Sequence, residues 1–112
     1  MKNTVIAIAS NKMGAGDDAL GSRLMESFIF VLAQSEDLPA AVVFYNTGAL
    51  LTTGGSSCLA DIMTLENAGV EILTCGTCLK HFDAEDKLKV GVQTNMYTIL
   101  EKQMKADSVI RP

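Results

Sequence analysis

The chain has 112 residues, 48% of them hydrophobic and 20% charged, with a formal net charge of −4. That balance describes a soluble globular domain with apolar material for one core, and it excludes a disordered tail. Nucleic acid and anionic membrane are not expected as partners, because both demand a basic footprint that an acidic chain lacks. No apolar run approaches the roughly 20 residues that cross a bilayer. The opening "MKNTVIAIAS" is interrupted by "NKMGAGDD" too soon to form a signal-peptide core. A cytoplasmic protein is therefore expected. Three cysteines, an odd count, point to free thiols, chemistry or metal rather than a disulfide framework.

Five short β-branched runs alternate with segments of helical period. The runs are "TVIAIA" (4–9), "AAVVFY" (40–45), "VEILTC" (70–75), "KVGV" (89–92) and "SVIRP" (108–112). The middle runs are almost continuously apolar, as strands buried on both faces of a parallel sheet are. Between the first two runs, Leu20, Leu24, Phe28 and Leu32 recur every four residues, and Met25 and Ile29 widen the stripe. Leu59, Ile62 and Met63 mark a second helix; Met96, Ile99, Leu100 and Met104 mark the last. Strand followed by helix, repeated with right-handed crossovers, gives an α/β fold. The expected architecture is a three-layer α/β/α sandwich, flavodoxin-like, with about five parallel strands. With no internal repeat or low-complexity linker, it is read as one domain over residues 1–112. Phe30 and Val31 in "FIFVLA" (28–33) add apolar surface beyond one stripe. The helix is either central and buried or an oligomer contact.

In an open α/β sheet, ligands sit beyond the carboxyl ends of the strands, where strand order reverses. A strand order of 2-1-3-4-5 would set the loop "SNKMGAGDDALG" (10–21) beside "CGTC" (75–78). Gly14, Gly16 and Gly21 do not fit G-x-G-x-x-G, and no Lys-Ser/Thr follows to complete a P-loop. Asp17 and Asp18 suit a helix start but repel phosphate. The loop is better read as a compact turn that walls one side of the crevice.

Cys75 ends a strand, and Cys78 lies in the first turn of the next helix. A thiolate there would face unpaired backbone N–H groups and the positive end of the helix dipole, with Lys80 and His81 close by, and should ionise more readily. Gly76 lets the backbone approach a substrate, and Thr77 can cap the helix. Four readings stay open: two buried thiols; a zinc site drawing on Cys58, Cys75, Cys78 and His81; a dithiol-disulfide pair; and a nucleophilic sulfur carrier.

The segments "MGAGDDALG", "FYNTGALLTTGGS", "GVEILTCGTCL", "LKVGVQTNMYTI" and "SVI" resemble, in order and spacing, the DsrE/DsrF-like sulfur-relay family. They are most similar to the carboxyl-terminal domain of YedF-type sulfurtransferase-like proteins associated with selenium metabolism. The resemblance implies a DsrE-like fold, homo-oligomers, and a cysteine that holds sulfur as a persulfide and passes it on, with no cofactor, metal or flavin required. It implies sulfur-donor and sulfur-acceptor partners, proteins or small sulfane-sulfur species, with sulfur or selenium as cargo. Carried onto this sequence, it bears on Cys75 and Cys78, with Gly14, Gly16, Asn46, Thr94, Asn95 and Met96 as walls of the crevice. The pattern leaves open which cysteine carries the sulfur. The dipole argument favours Cys78, with Cys75 as its resolving partner.

The amino-terminal TusA-like domain of YedF-type proteins, with its Cys-Pro motif, has no counterpart in these residues. Cys58 lies outside the pattern and is expected to pack in the second helix. His81 reads as a local helix residue rather than a general base, and Asn95 either caps the last helix or belongs to the site. Two other functions compete with sulfur transfer: a ligand-binding or assembly module without turnover, and a C-x-x-C dithiol-disulfide oxidoreductase.

Overall fold

The structure, a computed structural model, describes residues 2–112. In chain order it contains β1 (Lys2–Ile8), α1 (Asp18–Gln34), β2 (Pro39–Phe44), a 3₁₀ segment (Asn46–Thr52), α2 (Leu59–Asn67) and β3 (Glu71–Cys75). Then follow α3 (Gly76–His81), a 3₁₀ turn (Glu85–Lys87), β4 (Val92–Thr94), α4 (Met96–Lys105) and β5 (Ser108–Ile110). The five strands pair in parallel in the order β4-β3-β2-β1-β5.

The period-two alternation of the central strands divides the core into two layers. Ile6, Ile8, Val42, Phe44 and Ile72 face Met25 and Ile29 of α1 and Ile62 and Leu65 of α2. Val5, Ala7, Ala41, Val43, Leu73 and Cys75 face the other way, where Ile99 of α4 covers them. Two helices on one face and one on the other make the expected α/β/α sandwich.

The strand order differs from 2-1-3-4-5, because β2 lies between β1 and β3. With right-handed crossovers, consecutive helices on one face carry the chain in one direction along the sheet. Both α1 and α2 pack on the same face, so β1, β2 and β3 are laid side by side. Only the crossover through α4, on the opposite face, returns the chain to place β5 beside β1.

The helical stripes also differ from those expected. In α1 the buried row is Gly21, Met25 and Ile29, whereas Leu20 and Leu24 are exposed. Asp17 caps the helix by accepting from the Leu20 amide at 2.8 Å, and Gly21 lies close under Lys12 and Met13 of the preceding loop. That close approach turns the glycine row inward and the leucine row out. In α4 only Ile99 is buried; Met96, Leu100 and Met104 are exposed. The fourth strand starts later than "KVGV", because Gly91 turns the chain at φ 71° and Val90 is already packed in the core.

Candidate functional site: the Cys75–Cys78 turn

All five strands are parallel, so their carboxyl ends share one edge, and the loops along it are tied in a row by hydrogen bonds. Gly48 brings the 3₁₀ segment directly onto the Ile8 carbonyl at the end of β1, where a side chain would collide with backbone. Beside it, Thr47 Oγ1 accepts from the Asn11 amide at 3.2 Å and donates to Ser10 Oγ at 3.4 Å. Next along the edge, the Asn46 amide donates to Cys78 Sγ at 3.1 Å. The loop after β2 thus stands between the Gly-rich loop and the cysteines.

Cys75 closes β3 and is itself the N-cap of α3, without a side-chain capping bond. Its side chain follows Leu73 into the α4-facing core and is 3% exposed. Beneath, Thr74 Oγ1 and Thr52 Oγ1 form a buried hydrogen bond of 2.8 Å, which pins the end of β3 to the 3₁₀ segment. Gly76 leads into the helix under the side chain of Gln93, which a Cβ at this position would have to push aside. Cys78, the third residue of α3, is half-buried and packs against both the Cys75 cluster and the Leu79–Ala84 cluster.

A cavity of about 300 Å³ opens over Cys78, lined by Asn46, Thr77, Cys78, His81 and Phe82. Thr77 is exposed on the cavity wall and is not the helix cap, a role that falls to Cys75. His81 ends α3 and stands edge-on to the Phe82 ring at 5.1 Å. Phe82 was not legible as a site residue, although its spacing of four from Cys78 places it on the same side of the helix.

The other residues named from sequence are distributed around this turn. Thr94 pairs with Cys75 across the β3–β4 ladder. Asn95 caps α4, its side chain accepting from the Thr98 amide at 3.0 Å. Met96 stands exposed at the head of α4. Gly14 and Gly16 sit in the loop after β1 with positive φ and open space around them, and neither lines the Cys78 cavity. The cause is the strand order: β2 and its loop occupy the place that the order 2-1-3-4-5 would have left to the Gly-rich turn. Cys58 packs on the α1–α2 side of the sheet, opposite Cys75. Among the described residues, no three metal-ligating side chains converge.

The electrostatics depart from the expected thiolate. Burial pushes the Cys78 thiol above the ordinary value of 9.0; the hydrogen bond with Cys75 and the charge of that neighbour push the same way, while the Asn46 amide opposes them. α3 has only six residues, so its dipole is small, and desolvation prevails. All three cysteines are free thiols. The arrangement therefore offers one accessible sulfur nucleophile, packed against the cluster that holds the buried Cys75 thiol.

No family model matches the chain, and neither does any curated protein. Solved structures do. The protein of unknown function MTH1491 from Methanobacterium thermoautotrophicum is similar at TM-score 0.69 with 24% identity, over 97% of each chain. The ychN protein from E. coli is similar at TM-score 0.73 with 16% identity, over 100% of each chain. Among the described residues, no helix is long and apolar enough to cross a membrane. At these identities the likeness concerns the fold alone, a five-stranded parallel α/β sandwich.

Proposed function

We propose that this chain is a sulfurtransferase-like sulfur carrier, which takes sulfane sulfur onto Cys78 as a persulfide and hands it to a partner. The observation that carries the reading is the setting of Cys78: alone of the three cysteines it is only half-buried, and at the wall of a cavity it receives the Asn46 N–H at 3.1 Å. In the accepting step the deprotonated Cys78 attacks the terminal sulfur of a donor persulfide. The new bond forms at Cys78 Sγ, and the donor leaves as its thiolate. The Asn46 amide favours the charged form of the sulfur it faces. An acceptor thiol then takes the terminal sulfur by the same exchange.

The partners of this reading are a sulfur donor and a sulfur acceptor, each a protein or a small sulfane-sulfur species. The working form is a homo-oligomer in the cytoplasm. Selenium in place of sulfur, and kinship with YedF-type proteins, belong to the same reading.

The test is intact mass of the Cys75→Ser variant after exposure to a persulfide donor, followed by peptide mapping. The expected result is added mass of one sulfur atom on the peptide containing Cys78, discharged by an acceptor thiol. Absence of uptake by the folded variant and by wild type would leave a non-catalytic module as the reading.

A further inference from the structure

The same pair supports a second activity, which rests on the carrier reading. We infer that Cys75 resolves the Cys78 persulfide, so that the protein releases hydrogen sulfide and locks itself as a Cys75–Cys78 disulfide whenever no acceptor arrives first. Position is the main argument. Cys75 is the N-cap and Cys78 the third residue of α3, two places whose side chains meet on one side of the first helical turn. Three positions along a helix rise about 4.5 Å, within the separation of about 4.4–6.8 Å that disulfides span between Cα atoms. Cys78 packs against the buried cluster that contains Cys75, and Cys75 is near enough to raise the Cys78 pKa.

Access makes the order of events one-directional. Cys75 is 3% exposed, so a donor in solution meets Cys78 first, and Cys75 acts only on sulfur already placed there. Cys58, the remaining thiol, lies in the core layer on the opposite face of the sheet and cannot compete.

The step balances without an outside reagent. Cys75 gives up its proton and attacks Cys78 Sγ. The Cys75–Cys78 sulfur–sulfur bond forms, and the bond from Cys78 Sγ to the terminal sulfur breaks. The terminal sulfur leaves with the electron pair, takes the released proton, and departs as hydrogen sulfide. The two cysteine sulfurs are oxidised by two electrons in all, and the sulfane sulfur is reduced by the same two. Further turnover requires a thiol or dithiol reductant to reopen the disulfide. The carrier and the sulfide-releasing activity thus share one intermediate, and acceptor supply decides between them.

The experiment is a single turnover of the reduced full chain with glutathione persulfide, without oxygen and without an acceptor. Free sulfide, intact mass and the peptide map are followed together. The wild type is expected to release one equivalent of sulfide and to end two hydrogen masses lighter, with residues 75 and 78 joined. Cys75→Ser and Cys75→Ala, both checked for native circular dichroism because the site is buried, are expected to keep the sulfur on Cys78 and release none. A wild type that holds a stable persulfide with Cys75 free overturns the inference and leaves the carrier reading intact. Sulfide release undiminished in both Cys75 variants overturns it as well. Failure of all forms to take up sulfur removes the carrier reading, and this inference with it.

Discussion

The Asn46 amide reaches Cys78 Sγ, 32 positions along the chain, because Asn46 adopts a left-handed backbone at φ 51°. Asparagine tolerates that conformation better than other side-chain-bearing residues, and here its Oδ1 also accepts from the Thr47 amide at 2.8 Å. Asn46→Gly should therefore keep the amide on the sulfur, whereas Asn46→Val should swing it away, since a β-branched residue resists positive φ. Losing a hydrogen bond to a charged acceptor costs about 1.5–3 kcal/mol, so Cys78 in Asn46→Val should alkylate roughly tenfold or more slowly at neutral pH. Equal rates in the two variants would deny the amide any part in setting the thiolate.

The pH profile of Cys78 follows from its surroundings. Burial, then the Cys75 hydrogen bond and charge, hold the thiol above 9.0, so its alkylation rate should climb at higher pH than that of a free cysteine in the same buffer. Cys75→Ala deletes two of the three upward influences and should move the curve to lower pH, at a stability cost of about 1–3 kcal/mol for the buried group removed. A curve unmoved by the substitution would mean that the two sulfurs do not interact.

Self-association is the third expectation. α1 leaves Leu20, Leu24, Phe30 and Val31 exposed, and α4 leaves Met96, Tyr97, Leu100 and Met104, with Tyr97 at 88%. Apolar rows of this extent tend to mark interfaces. Sedimentation velocity at micromolar concentration should report more than a monomer. Val31→Glu and Tyr97→Glu, made separately, should show which helix holds the contact. A monomer at every concentration would leave both rows as plain surface.

The sequence announced the strands well and their neighbours badly. Each central run is almost continuously apolar because it is covered on both faces, and that reads directly from residues such as Val42, Val43 and Phe44. Strand order depends on which face each crossover helix takes, and no local pattern records this; hence the misplaced Gly14–Gly16 turn. In α1 the row that packs inward contains Gly21, which carries no hydropathy signal, so Leu20 and Leu24 drew the stripe one residue off. The cysteine pair at a strand-helix junction was legible from spacing. Its ionisation was not, because burial of Cys75 and Cys78 is a property of the assembled α4 face and the 3₁₀ segment. The left-handed Asn46 was equally hidden, since asparagine in a loop is compatible with many conformations.

Cys58 offers a test of the core that is independent of any sulfur chemistry. It stands at the N-cap of α2 with 2% exposure. Burial pushes its thiol above 9.0; the Ser57 hydroxyl opposes this, the charges of Glu26 and Asp61 add to it, and Ser56 opposes it again. A thiol whose folded pKa is raised binds its proton more tightly in the native state than in the unfolded one. Its contribution to stability is complete below the unfolded value and is lost as pH rises through the folded value. The urea midpoint of wild type should accordingly fall from about pH 8.5 upward, where unfolded thiols begin to ionise. Cys58→Ala should be less stable at neutral pH, by about 1–2 kcal/mol for a small buried side chain, yet should lose less on going alkaline. Cys58→Ala combined with Cys78→Ser should be flatter again, because Cys78 is raised in the same sense. The slope of free energy against urea should stay constant across the series, so that midpoints report stability alone. Parallel alkaline decline in wild type and both variants would assign the loss to other groups and would mean that neither thiol holds its proton more tightly when folded.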